Sequence, residues 1–171
     1  MVFSKIKKLL INNHGEDISR LIYAFPSKLH EDAEKVAKVI PFETNPITIQ
    51  DGSEHYVDSY VTDYKPQSLN LRGEEIKIPC RVYFEEPEGK KLADLNRRQQ
   101  TILHCIYLRH HNGFVRERHL TKIIEADDYF ALPFQVLILG EYVEELISIL
   151  DQGISDQNIS EFAEFLSDNR F

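Results

Sequence analysis

The sequence contains no tryptophan, one methionine and two cysteines in 171 residues. Cys80 lies in a strand-like run and Cys105 in a helix-like run, so the pair does not suggest the disulfide framework of a small secreted domain. No apolar run approaches the ~18 residues of a membrane-spanning helix, and the first residues lack the apolar stretch of a signal peptide. We therefore expect a cytoplasmic protein that does not enter a membrane.

Glycine is also scarce, with seven scattered residues. No phosphate-binding loop, nucleophile elbow, dinucleotide fingerprint or calcium loop occurs among them. The segment from His30 to Glu34 begins like a zinc-protease helix, but Glu34 stands where the second histidine is needed. The helical pattern places Cys105 on an apolar face, which is typical of an inert buried thiol. We expect no cofactor, no bound metal and no catalytic residues, and we favour a protein that is not an enzyme.

Basic residues are almost absent from the end of the chain. Residues 96–122 carry six basic side chains and one acidic one, whereas residues 123–171 carry 11 acidic side chains and only Arg170 to oppose them. The net charge is −8. We expect the basic stretch to pack against the acidic one, and we expect the excess acidic charge to suit a basic partner.

Hydrophobic periodicity predicts an α+β protein with the order helix, sheet, helix. We expect a single domain, residues 1–171, made of a helical region 1–45, an antiparallel β meander 46–91 and a helical bundle 92–171. The sheet has about four strands, and it is flanked by N-terminal helices and a C-terminal four-helix region. Turns between the strands are expected at Asp51–Gly52 and around Arg72–Gly73. Strict alternation from Ile76 to Phe84 marks the clearest strand, and Pro79 places that strand near an edge.

The predicted helices share the apolar spacing i, i+3, i+4, i+7. They cover about 3–10, 18–25, 29–40, 94–111, 115–125, 131–151 and 156–168. The helix 131–151 is apolar around most of its circumference, which predicts a central helix. Gly140 lies in the middle of this apolar surface, where a missing side chain favours the close approach of another helix.

The turn between the helices 94–111 and 115–125 collects most of the candidate binding residues. They are Arg109, His110, His111, Arg116, Arg118, His119 and Lys122. His104 and His111 are too far apart on a helix to share one ion, and His110, His111 and His119 meet only if the turn folds back. Arg116 shares an angular position with apolar residues, so it needs a buried carboxylate, for which Glu141 and Glu145 are the candidates.

A second candidate surface is aromatic. Four of the eight tyrosines fall around the predicted sheet: Tyr56, Tyr60, Tyr64 and Tyr83. Tyrosines in such a position form a contact surface that is partly apolar and partly polar. An edge strand can in addition pair with a second copy, giving a homodimer, or with a strand of another protein.

We therefore expect a non-catalytic, acidic protein–protein interaction module. A protein partner, and in particular a basic one such as a nuclease-type toxin or a ribosomal or nucleic-acid-binding protein, suits the charge of residues 123–171. Two alternatives stay open. One is nucleic-acid binding through the basic helix–turn segment 96–122, and the other is a small-ligand, anion or metal site at the 109–119 turn. The acidic helix 131–151 argues against the first, because it would repel phosphate.

Overall fold

The computed structural model describes residues 15–42, 44–48, 54–58, 60–62, 65–126, 128–141, 143–156 and 158–169; for 44–48, 54–58 and 60 it describes the backbone alone. Residues 15–22 are helical (α1) and are followed by a 3-10 turn at Ser27–Leu29. The later helices are α2 (His30–Ala37), α3 (Gly89–Leu92), α4 (Arg97–Tyr107), α5 (Gly113–Ala126), α6 (Leu132–Ile138), α7 (Glu144–Gly153) and α8 (Ile159–Asp168).

The strands lie between α2 and α3. They are β1 (Thr44–Thr48), β2 (Glu54–Asp58), β3 (Tyr60–Val61), β4 (Gln67–Leu71), β5 (Glu74–Ile78) and β6 (Val82–Tyr83). The described strands pair in antiparallel fashion, β1 with β2, β3 with β6, and β4 with β5, and an isolated parallel bridge joins Val82 to His110. A two-residue turn joins β4 to β5, and both Arg72 (φ 54°) and Gly73 (φ 87°) have the positive φ of a type I′ hairpin turn.

The chain is therefore a mixture of helix and sheet, as the hydrophobic pattern predicts. A single sheet of about four strands is not confirmed, because the described strands form separate pairs. The helix expected at 3–10 and the turn expected at Asp51–Gly52 lie outside the described residues. The two helices before the sheet are present, and Pro26 lies between them.

Two continuous elements in our prediction are interrupted. The strand expected from Ile76 to Phe84 stops after Ile78 and resumes at Val82, although Ile76, Ile78, Val82 and Phe84 are all buried. The helix expected at 131–151 ends at Ile138, and α7 begins only at Glu144. Both interruptions lie beside the same group of buried arginines. The break in the strand supplies backbone carbonyl groups that accept hydrogen bonds from these arginines, and the break in the helix supplies a carboxylate that pairs with them.

Our prediction for Gly140 was wrong, since a Cβ atom there would meet the Leu137 carbonyl oxygen at an ordinary 3.6 Å. Close approach occurs instead at Gly153, which ends α7. A Cβ atom on Gly153 would lie 2.7–2.9 Å from three side-chain carbons of Ile124 on α5. The missing side chain therefore lets the basic helix α5 and the acidic helix α7 pack together.

Helix α4 is central to the described core. Asn96 and Gln99 form a capping box at its N-terminus, and the Gln99 amide donates to the buried Asp32 carboxylate on α2 at 2.8 Å. Asp32 also accepts from Arg98 at 2.7 Å.

At the other end of α4 the chain docks on β6, where the Val82 N–H donates to Arg109 O and the His111 N–H donates to Val82 O. This docking fixes the turn that carries the candidate residues.

Among the described helices, none is both long and apolar enough to span a lipid bilayer.

Candidate functional site

A single buried carboxylate organises the turn after α4. Glu141, 8% exposed, lies between α6 and α7 and faces three arginines. Its Oε1 is 3.1 Å from Arg109 Nη1 and 2.9 Å from Arg81 Nη1, and its Oε2 is 2.9 Å from Arg116 Nε. The pair of Arg116 with Glu141 was predicted from the helical pattern, whereas the contributions of Arg109 and Arg81 were not.

Backbone carbonyl groups accept hydrogen bonds from other guanidinium nitrogens of Arg109 and Arg116. Arg109 donates to Pro79 O (3.2 Å) and Cys80 O (2.8 Å), and Arg116 donates to the carbonyl oxygens of His110 and His111. Burial lowers the pKa of Arg109 to about 10, although Glu141 opposes this shift. Both arginines therefore stay charged at neutral pH. Together they tie the β5–β6 connection, the α4–α5 turn and the α6–α7 connection into one internal ion network.

A chain of three side chains links α4, α5 and the segment after β6. His119 Nε2 lies 2.9 Å from the Glu86 carboxylate, and His119 Nδ1 lies 2.8 Å from His104 Nδ1. The Tyr107 ring stacks on His119, and Arg118 also pairs with Glu86. Burial is the main cause of two pKa shifts. It lowers the pKa of His119, and it lowers the pKa of His104 to about 4. Both imidazoles are therefore neutral at pH 7. This geometry makes His119 Nε2 the donor to Glu86 and His104 the donor to His119.

The other two histidines of the turn, His110 and His111, each stack on a tyrosine ring, Tyr107 and Tyr83 respectively. His110 Nε2 lies 3.0 Å from Phe84 O, and His110 Nδ1 accepts the Asn112 N–H at 3.0 Å. His111 is exposed, and its ring lies parallel to that of Tyr83, 4.9 Å between centroids.

A metal ligand needs a free nitrogen lone pair, and both nitrogens of His110 and of His119 already have partners. Within the described parts of the chain, no group of three or more His, Cys, Asp or Glu side chains is placed to hold a metal ion.

In the alternative interpretation Arg109 and Arg116 form an anion-binding corner, but both guanidinium groups face the protein's own Glu141. Four of the seven predicted binding residues are buried: Arg109, His110, Arg116 and His119. The other three are exposed: His111, Arg118 and Lys122. Whether any of them binds a ligand stays a prediction.

The cations of segment 96–122 all have acceptors within the molecule. Asp32 pairs with Arg98, Glu86 with Arg118, and Glu125 with Lys122, while Glu141 takes Arg109 and Arg116. Arg97 donates to the Ala126 carbonyl oxygen at 3.0 Å. Charges that are already paired release less free energy on meeting a phosphate backbone. This pairing weighs against nucleic-acid binding through the segment.

Comparison with protein-family models, with curated proteins and with solved structures gives no match. The residues and their geometry are therefore the evidence for function.

The acidic residues of α8 have a different environment from the basic segment. Three of them line a groove between α8 and the β4–β5 turn, of about 90 Å³. The groove is lined by Leu71, Arg72, Tyr129, Leu132, Glu161, Glu164, Phe165 and Asp168. It continues as a wider depression along β4, lined by Ser68, Leu69, Asn70, Glu75, Asp168 and Asn169. We call the two together the β4–α8 groove.

The groove has an acidic rim and an apolar floor. Glu75, Glu161, Glu164 and Asp168 are exposed carboxylates, whereas Leu69, Leu71, Leu132 and Phe165 are buried. Arg72 is the cation among its described lining residues; its guanidinium lies 4.4 Å from the centroid of the Tyr129 ring and 3.9 Å from Glu161. Among the described residues, the negative charge of the rim therefore exceeds the positive charge, and its carboxylates are exposed.

One end of the groove is closed by a side-chain amide. Asn169 follows α8, and its Oδ1 accepts the backbone N–H of Asn70 at 2.6 Å. Its Nδ2 donates to Asn70 O at 2.8 Å and to Phe165 O at 2.9 Å. Sequence reasoning missed this contact, because the two asparagines are 99 residues apart and neither shows a local motif.

The predicted tyrosine surface falls largely outside the described side chains. Tyr56, Tyr60 and Tyr64 have no described side-chain placement, and Tyr83 is half-buried against His111. A contact role for these tyrosines stays a prediction.

Proposed function

We propose that this protein is a non-catalytic interaction module that binds a basic segment of a partner protein in the β4–α8 groove. The observation that carries the proposal is the contrast between the two charged regions. Each cation of segment 96–122 has an acceptor within the molecule, and Arg109 and Arg116 are buried with theirs, whereas the carboxylates of α8 are exposed around an apolar floor.

Charge and apolar surface support the proposal together. Exposed carboxylates steer a basic partner and set its orientation, but each exposed ion pair contributes only roughly 0.2–1 kcal/mol. Affinity therefore needs apolar contact as well. Leu71, Leu132 and Phe165 line the groove and supply this apolar contact surface. A segment with alternating basic and apolar side chains matches this combination.

The test is fluorescence anisotropy with a labelled peptide of alternating lysine and valine. The variant Glu161→Gln/Glu164→Gln/Asp168→Asn removes three rim charges. We expect it to weaken binding about tenfold, since three exposed pairs at roughly 0.5 kcal/mol each give that ratio. The matched control is Glu144→Gln/Glu145→Gln/Asp151→Asn, which removes three exposed charges from α7, and we expect it to bind within about twofold of the natural protein.

Two results would overturn the proposal. One is that the lysine–valine peptide binds no better than a peptide with glutamate in place of lysine. The other is that the α7 control weakens binding as much as the groove variant, because the effect would then come from net charge rather than from the groove.

A further inference from the structure

The edge of β4 that faces the groove presents backbone hydrogen-bonding groups. In the β4–β5 hairpin Leu71 pairs with Glu74, Leu69 with Ile76 and Gln67 with Ile78 across a two-residue turn. In such a hairpin the backbone groups of the intervening residues, Ser68 and Asn70, point away from the partner strand. The two contacts from Asn169 to Asn70 N–H and C=O confirm this direction.

The Asn169 side chain binds Asn70 as a peptide group of a neighbouring strand would. An amide oxygen accepts the N–H and an amide nitrogen donates to the C=O of the same residue. Two residues away, the N–H and C=O of Ser68 have no partner among the described residues. On the opposite edge, the outward Lys77 N–H of β5 is taken by Tyr23 O at 2.8 Å. Along the groove, the open position of the β4 edge is therefore Ser68, next to the Asn70 position that the Asn169 amide occupies.

We infer that β4 accepts the basic partner segment as an additional β-strand, with a peptide group of that segment replacing the Asn169 amide at Asn70 and a further pair forming at Ser68. This inference rests on the proposed function and specifies how the groove is occupied.

Strand addition uses main-chain hydrogen bonds for affinity and alternate side chains for specificity. One face of the added strand lies beside buried Leu69 and Leu71, which suits apolar side chains. The other face lies beside exposed Ser68, Asn70 and Glu75 and the Asp168 carboxylate of α8, which suits lysine or arginine.

The first test replaces Ser68 by proline and by alanine. Proline removes the outward N–H, which the hairpin itself does not use, whereas alanine keeps it. We expect Ser68→Pro to lower the affinity for the lysine–valine peptide at least tenfold and Ser68→Ala to leave it within about twofold. If Ser68→Pro binds like the natural protein, strand addition is wrong. Binding by the α8 charge variant is measured separately. If Ser68→Pro binds the peptide normally and the α8 charge variant binds it weakly, strand addition is wrong but the proposed function is still supported.

The second test changes only the peptide, so it does not depend on the folding of a variant. Alternate residues of an added strand direct their backbone groups to β4. We therefore compare a peptide N-methylated at every lysine with one N-methylated at every valine. Strand addition predicts that one of the two loses binding at least tenfold while the other retains it. Equal retention or equal loss by both peptides would contradict strand addition.

Discussion

Glu141, in the connection between α6 and α7, pairs with Arg116 on α5, with Glu141 Oε2 2.9 Å from Arg116 Nε, and both side chains are more than nine-tenths buried. The same carboxylate also meets Arg109 and Arg81. A buried charge without its partner is costly, because the interior solvates it poorly. The network around Glu141 therefore makes a specific prediction about stability.

Replacing Glu141 by Gln leaves the buried arginines without their shared anion. We expect Glu141→Gln to lower the free energy of unfolding by about 3–5 kcal/mol in urea denaturation. Glu144→Gln removes an exposed carboxylate three residues later, and we expect a change within about 0.5 kcal/mol. Equal stability of the two variants would show that the network does not hold the helices together.

Gly153 makes a second prediction, about the packing of α5 on α7. A methyl group at this position meets Ile124 carbons at 2.7–2.9 Å, so Gly153→Ala should lower the free energy of unfolding by about 1–3 kcal/mol. Shortening the neighbour in Gly153→Ala/Ile124→Val should recover part of the loss. Gly140→Ala is the control, since its Cβ atom has room. A Gly153→Ala protein as stable as the natural one would contradict the packing described here.

The buried histidines predict how stability depends on pH. Burial lowers the pKa values of His104, His110 and His119 in the folded protein, and unfolding returns them to about 6.5. Between pH 6.5 and pH 4 the unfolded chain therefore binds more protons, and stability falls as the pH falls. We expect the urea midpoint to decrease steadily over this range. His104→Gln should flatten the decrease; an unchanged slope in that variant would contradict the low pKa of His104.

The two cysteines should differ in reactivity. Cys105 is fully buried on α4, and burial raises the pKa of its thiol, whereas Cys80 is partly accessible. A thiol reagent such as dithionitrobenzoate reacts with the thiolate. We expect Cys80→Ser to show no thiol reaction until the protein is unfolded, and Cys105→Ser to react in the native state. Prompt labelling of native Cys80→Ser would contradict the burial of Cys105.

The features that were predicted correctly are those that neighbouring residues determine. Apolar spacing together with Pro26 separates α1 from α2, and Arg72 with Gly73 forms the expected turn. The angular position of Arg116 among apolar residues predicted a carboxylate partner and narrowed it to Glu141 or Glu145, of which the structure shows Glu141. In each case the residues that indicate the structural feature lie within a few helical turns or a few residues of it.

The features that were missed depend on contacts between distant segments. The helical pattern of 131–151 continues through Glu141, so nothing local indicates that this carboxylate leaves the helix to meet Arg109 and Arg81. The alternation from Ile76 to Phe84 likewise conceals the break at Pro79, whose carbonyl oxygen accepts from Arg109. Asn70 and Asn169 form a contact that only the tertiary fold creates.

The central claim is that a basic segment binds in the β4–α8 groove, and a ¹⁵N-resolved NMR titration with the lysine–valine peptide tests it most directly. We predict saturable shifts of the backbone amides of Ser68, Asn70, Phe165 and Asp168, and no shifts with the glutamate–valine peptide. Shifts confined to the 109–119 turn, or no shifts beyond those of the control peptide, would contradict the claim.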